Sequence, residues 1–177
     1  MKVLVAYATA HGSSVEIAHT ISEVLKAQGA QVTVEDVRNI THVNGYDVYV
    51  MGTPIHAGTW LPEIKGFIRA YQPQLEGKPV YFWISCVRVM EEGGMEHVKE
   101  FYMVPEMLTK MDLRLTAAFA GKLALDDVDW HERWTLAARY DGNAWPSSFD
   151  GDFRDWDKIK AWAGEVAEDM KTLQITG

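Results

Sequence analysis

Residues 1–14 read Met1-Lys2-Val3-Leu4-Val5-Ala6-Tyr7-Ala8-Thr9-Ala10-His11-Gly12-Ser13-Ser14. Val3 to Ala8 is a nearly unbroken apolar run, the pattern of a strand buried on both faces of a parallel sheet. Thr9 to Ser14 is small, polar and glycine-containing, and reads as a loop. Helical spacing follows: Ile17, Ile21, Val24, Leu25 and Gln28 recur by threes and fours, and Gly29 ends the run. The first N–H groups of a helix lack partners and carry partial positive charge, so such a loop can hold a phosphate, with Thr9, Ser13 and Ser14 adding hydroxyl donors. A plain N-cap by Ser13 or Ser14 fits the same residues. The sequence leaves both open.

The strand–helix pattern repeats downstream. Val32 to Val37 alternates like a strand nearer an edge, and Asp47 to Met51 is a third apolar strand ended by Gly52-Thr53-Pro54. A helix is expected from Pro62 to Tyr71, with the proline tolerated in its first turn. Val80-Tyr81-Phe82-Trp83-Ile84 is a central-strand candidate. Glu96 to Lys110 has helical spacing but carries Pro105, which predicts a kink or break. Leu113 to Phe119 is the fifth strand, closed by Gly121. Residues 122–152 lack clean periodicity. In the last helix Trp156, Ile159, Trp162, Ala163, Val166 and Met170 share one face, with Asp155 as N-cap. Five strands alternating with helices predict an open parallel sheet with helices on both faces and right-handed crossovers. No repeat, low-complexity tract or linker interrupts residues 1–177, so a single domain is expected.

Composition narrows the function. Hydrophobic residues are 47% and charged residues 24% of 177, which excludes a disordered chain. The net charge of −8 repels phosphate backbones and anionic lipid, so no nucleic acid partner is expected. No apolar run approaches the ~18–20 residues of a membrane-spanning helix. The N-terminal run is too short for a signal peptide, and the single cysteine, Cys86, suits a reducing compartment, so a cytoplasmic location is expected. Six histidines without ligand spacing argue against a metal site. Aromatics reach 11%, with seven tryptophans, more than a core of this size usually holds.

In an open α/β sheet, ligands bind beyond the carboxyl ends of the strands, where the strand order switches. The loops after the first, third, fourth and fifth strands are therefore the ones to inspect. Neither G-x-x-x-x-G-K-[ST] nor G-x-G-x-x-G occurs, which excludes a nucleoside-triphosphate P-loop and a dinucleotide fingerprint. The acidic residues of a response-regulator receiver are also missing, since the corresponding places hold Ala8-Thr9 and Met51-Gly52.

The stretch from Val5 to Ser14 resembles the phosphate loop of the flavodoxin family, an aromatic-small-Ser/Thr-x-x-Gly-x-Thr/Ser pattern followed by a helix. The resemblance extends to two further loops in order: Gly52-Thr53-Pro54-Ile55-His56-Ala57-Gly58-Thr59-Trp60 and Ser85-Cys86-Val87-Arg88. It covers the whole chain. It implies a flavodoxin-like three-layer α/β sandwich whose five-stranded parallel sheet has the order 2-1-3-4-5. It also implies one noncovalent FMN and electron transfer at the flavin edge without a protein nucleophile. The implied flavin-binding residues are Thr9, Ala10, His11, Gly12, Ser13, Ser14, Thr53, Pro54, Ile55, His56, Ala57, Gly58, Trp60, Ser85, Cys86, Val87 and Arg88.

Within the family the chain looks most like the menaquinone-dependent protoporphyrinogen dehydrogenase branch, by its length, by Ile55-His56-Ala57-Gly58 and by the irregular insert. That implies a quinone or porphyrinogen-like small molecule as partner. The alternative is a non-enzymatic electron carrier whose acidic surface docks a basic redox protein. A homodimer is compatible with either. The branch has a basic, apolar insert; here the insert holds Asp126, Asp127, Asp129, Asp141, Asp150 and Asp152 against Lys122, Arg133 and Arg139.

Several residues admit two readings. Trp60 either flanks the flavin ring or packs onto the sheet as a hydrophobic staple before a helix. Gly52 and Gly58 either let the backbone approach the flavin or serve as turn glycines. Cys86 is a flavin neighbour or a small buried apolar residue. Arg88 offsets charge on reduced flavin or is solvated. Trp83, Trp156 and Trp162 suit the core, whereas Trp130, Trp134, Tyr140 and Trp145 concentrate in the insert.

Overall fold

The computed structural model describes residues 1–103, 106–123, 130 and 151–173. The opening apolar run forms β1 (Lys2–Tyr7), with Val3 to Ala6 buried, and Ser13–Ala27 form α1. The chain continues through β2 (Gln31–Asp36), β3 (Val48–His56), β4 (Thr59–Trp60), α2 (Pro62–Leu75) and β5 (Pro79–Ser85). Then come α3 (Gly94–Phe101), β6 (Asp112–Phe119), β7 (Lys122–Leu123), β8 (Gly151–Asp152) and α4 (Trp156–Leu173). Strands β2-β1-β3-β5-β6 lie side by side, all parallel, which is the expected five-strand order; β4 folds back antiparallel on β3.

Because side chains alternate along a strand, each parallel strand feeds two cores. Leu4, Tyr49, Met51, Phe82 and Ile84 pack against Ile64, Phe67 and Ile68 of α2 and Val98 of α3. Val3, Val5, Val48, Val50, Tyr81 and Trp83 pack against Ile17, Ile21 and Leu25 of α1 and Ile159, Trp162 and Val166 of α4. Two positions hold the second layer in register. A Cβ on Gly52 would lie 1.8 Å from Cε2 of Trp83, so only glycine lets that indole cross β3. The buried Tyr81 hydroxyl donates to Asp169 Oδ2 at 2.7 Å, and Arg114 closes on the same carboxylate at 2.9 and 3.0 Å, fastening α4 to the sheet. The Arg114 hydrogen bonds hold the Asp169 carboxyl below its ordinary range, while burial, then Asp169, push the Tyr81 phenol up.

Three boundaries differ from the sequence reading. The helix expected over Glu96–Lys110 ends at Phe101, and a separate 3-10 turn spans Glu106–Leu108. Pro105 lies between them and can donate to neither. Third-strand pairing runs past Gly52 to His56, because β5 partners Thr53 and Pro54 and β4 partners Ile55 and His56. Helix α2 runs on to Leu75 with Pro73 inside it; the proline denies the Arg69 carbonyl its helical donor, but both residues are exposed, where water can serve that carbonyl. Asp155 caps as expected, accepting from the Lys158 N–H at 3.1 Å. Of the insert, the described residues are its two paired ends and Trp130, which is 68% exposed. Trp134, Tyr140 and Trp145 lie outside the described residues.

Candidate functional site

The carboxyl ends of β1, β3, β5 and β6 bring four connections together. The Ala8 N–H donates to the Gly52 carbonyl at 2.9 Å, carrying the β1–β3 ladder to the mouth of the first loop. Inside that loop the Gly12 N–H donates to Thr9 Oγ1 at 2.9 Å, a tight hydroxyl-closed turn. Gly12 itself is the N-cap of α1, at φ 81°, and no side chain caps the helix. The N-cap reading for Ser13 and Ser14 is therefore not what forms: both lie inside the helix, at its first two positions. The Val15 N–H turns back to the Gly12 carbonyl at 3.1 Å, and no described side chain takes the Ser13 and Ser14 N–H groups ahead of it. Ser14 is fully buried, and among the described residues its Oγ has no hydrogen-bond partner. A buried hydroxyl left unpaired is costly, and Ser14 shares that state with Ser22 of the same helix and the indole N–H groups of Trp83 and Trp162; what sets Ser14 apart is its place at a helix start, where backbone N–H groups favour an anion.

The second connection is a hairpin. Ile55 pairs with Trp60 and His56 with Thr59, leaving Ala57 and Gly58 as a two-residue turn with φ values of 49° and 77°. Two positive φ angles define the turn whose twist suits a hairpin; glycine adopts them freely and alanine does so under strain. The exposed tip thus presents backbone amides. The His56 ring stands edge-on to that of His11 at 6.3 Å, so hairpin and first loop meet.

The third and fourth connections close the other side. Ser85 is buried at the end of β5, and the Cys86 N–H donates to the Phe119 carbonyl at 2.9 Å. Cys86 belongs to the core on the α2 side. Beyond it Val87–Met90 make a 3-10 turn, with Arg88 paired to Glu91 at 2.8 Å. Past β6, a Cβ on Gly121 would stand 4.0 Å from both Ser13 Oγ and the Ser85 Cβ.

The structure thus gathers Thr9 to Ser14, Ile55 to Gly58, and Ser85 to Val87 around one mouth, and sets other candidates aside. Trp60 is buried, stacks on Phe82 at 4.3 Å between ring centroids, and donates from Nε1 to the Tyr102 carbonyl at 3.0 Å. It is the packing staple, and its ring faces the core. Thr53 is fully buried, its Oγ1 donating to the Pro54 carbonyl and accepting from the Leu61 N–H, so it ties the hairpin to the start of α2. Pro54 is half-buried between them. Gly52 serves the Trp83 ring. Arg88 is half-buried and paired with Glu91 at 2.8 Å, so its charge is already offset within the 3-10 turn.

Sequence reasoning missed Arg154. It is buried, and its Nη1 donates to the Ser13 carbonyl at 3.2 Å across 141 residues of chain. No periodicity marks it, since it stands between β8 and α4.

The fold defines an open, doubly wound α/β protein whose loops meet beyond the carboxyl ends of its parallel strands. A family model for the flavodoxin domain matches residues 4–143, and the chain belongs to that family of flavin-binding redox proteins. Protoporphyrinogen IX dehydrogenase [quinone] of Escherichia coli strain K12 is 24% identical over 98% of this chain and 100% of its own length. Among solved structures, a flavodoxin mutant from Pseudomonas aeruginosa superposes with a TM-score of 0.59 at 15% identity, covering 97% of this chain and 99% of its own. A flavodoxin from the domain Archaea gives 0.57 at 13%, covering 97% and 99%. The residues present fit a flavin mononucleotide: the uncapped start of α1 and the unpaired Ser14 hydroxyl suit its phosphate. Among the described residues, no helix is long and apolar enough to cross a membrane.

Proposed function

We propose that the chain is an FMN-dependent oxidoreductase that withdraws electrons from a porphyrinogen-like substrate and passes them to a quinone. When bound, FMN supplies the one- or two-electron chemistry. The chain's residues bind and orient it. Ser13 and Ser14, with the first N–H groups of α1, take the phosphate; the Ile55–Gly58 tip and Ser85–Val87 line the remaining mouth. The observation that carries the cofactor assignment is the buried, partnerless Ser14 hydroxyl beside a helix start with no side-chain cap. The substrate half is supported by the full-length likeness to the quinone-dependent protoporphyrinogen IX dehydrogenase. In this reading residues 1–177 act as one domain in the cytoplasm, with 122–152 contributing the substrate side.

One observation favours an electron-carrier reading. Glu92, Glu96 and Glu100 lie exposed along and beside α3 in a chain of net charge −8. The Tyr102 hydroxyl after that helix lies 3.9 Å from where a Cβ on Gly58 would stand. An acidic face near the hairpin suits a basic redox protein. The purified, FMN-loaded protein decides between them. Turnover of porphyrinogen with a quinone acceptor supports the oxidoreductase. No turnover, together with salt-sensitive reduction by a reductase, supports the carrier.

A further inference from the structure

Arg154 is engaged on every side. Its backbone N–H and its Nε both donate to Asp152 Oδ1, at 3.1 and 2.7 Å, and its Nη2 bonds Asp152 Oδ2. The same Nη2 lies 2.9 Å from Glu16 Oε2, and Nη1 donates to the Ser13 carbonyl. The Cζ stands 4.5 Å over the Trp156 ring. Two independent pieces of structure therefore meet on one guanidinium. One is the β7–β8 ladder, where Lys122 pairs with Asp152 and Leu123 with Gly151, reinforced by the Phe153 N–H donating to the Gly121 carbonyl at 3.2 Å. The other is the first turn of α1, through Ser13 and Glu16.

We propose that Arg154 is a positioning residue for the phosphate loop, and that through it cofactor binding and closure of the β7–β8 ladder stabilise each other. This rests on the FMN reading above. The physical link is the peptide plane. In a trans peptide the carbonyl of Ser13 and the N–H of Ser14 point in opposite directions. A fork that pins the carbonyl therefore pins the following N–H toward the open start of the helix, where the phosphate binds. The fork's rigid geometry does this, whereas a lysine ammonium at the same place keeps the charge but holds no fixed plane. Coupling between two sites is reciprocal: whatever factor the ladder lends to FMN affinity, FMN returns to the ladder.

The test measures FMN affinity of the apoprotein by flavin fluorescence, thermal midpoints of apo and loaded protein, and hydrogen exchange at the Phe153 amide with and without FMN. In the wild type FMN slows that exchange. Arg154→Ala is expected to weaken FMN by roughly tenfold and to make Phe153 exchange indifferent to FMN. Arg154→Lys is expected to fall between the two, and serves in place of the alanine variant if that fails to fold. Arg114→Ala is the control: it breaks the Tyr81–Asp169–Arg114 cluster, lowering the apo midpoint without changing FMN affinity. If the Arg154 variants lose thermal stability yet bind FMN as the wild type does, the residue is structural only and the proposal is overturned. If the wild type itself binds no FMN, the cofactor reading fails first, and the two failures are distinct.

Discussion

Gly52→Ala should strike the core beneath the site through one atom. The new methyl would stand 1.8, 2.2 and 2.4 Å from Cε2, Cζ2 and Cδ2 of Trp83. Carbon atoms rest about 3.5–4.0 Å apart, so the indole must withdraw by roughly 2 Å. It has nowhere to go, being fully buried and within 6.5 Å of the Phe119 ring, which in turn abuts Trp162. Overpacking of this kind costs up to about 3 kcal/mol. For a chain of this size that lowers the thermal midpoint by about 6–12 °C. Urea titration followed by tryptophan emission measures it. Trp83→Leu removes the clashing ring, and in that background Gly52→Ala should cost no more than about 1 kcal/mol, a coupling of roughly 2 kcal/mol between the positions. An equal cost in both backgrounds, or less than about 1 kcal/mol in the wild type, would refute the account of this glycine.

Other substitutions separate binding from packing. Ser14→Asp places a carboxylate where the phosphate is expected, and should weaken FMN by at least about tenfold in a fluorescence titration. Trp60→Phe loses the Nε1 bond to Tyr102, and should cost about 1 kcal/mol in denaturant while leaving FMN affinity unchanged. Asp169→Asn should cost about 1 kcal/mol at neutral pH. Because Arg114 holds the Asp169 carboxyl below its ordinary range, that contribution is present above the unfolded value and is lost as pH falls through the folded one. The gap between wild type and variant should therefore close below about pH 4, as denaturation curves across pH would reveal.

The five parallel strands and both helical layers were legible because burial on two faces writes itself as unbroken apolar runs, as in Val3 to Ala6 and Val80 to Ile84, whereas their lateral order came only with the family resemblance. The Asp155 cap was legible because capping is local chemistry. What failed depends on distant partners. Trp60 carries no mark showing that Phe82 and Tyr102 will absorb its ring. The pairing of Ser13 with Arg154 joins residues 141 apart, beyond the reach of any spacing rule. The end of α3 ahead of Pro105 was half visible: the proline announced an interruption but not its place.

The central claim is that the α1 start, with Ser13 and Ser14, recognises the phosphate of FMN. Parallel titrations of the apoprotein with FMN and with riboflavin test it most directly, since the two differ by that phosphate alone. The account predicts that FMN binds roughly 100-fold more tightly or better, and that inorganic phosphate competes at the same loop. Equal affinities, or a protein that takes up neither, would contradict it.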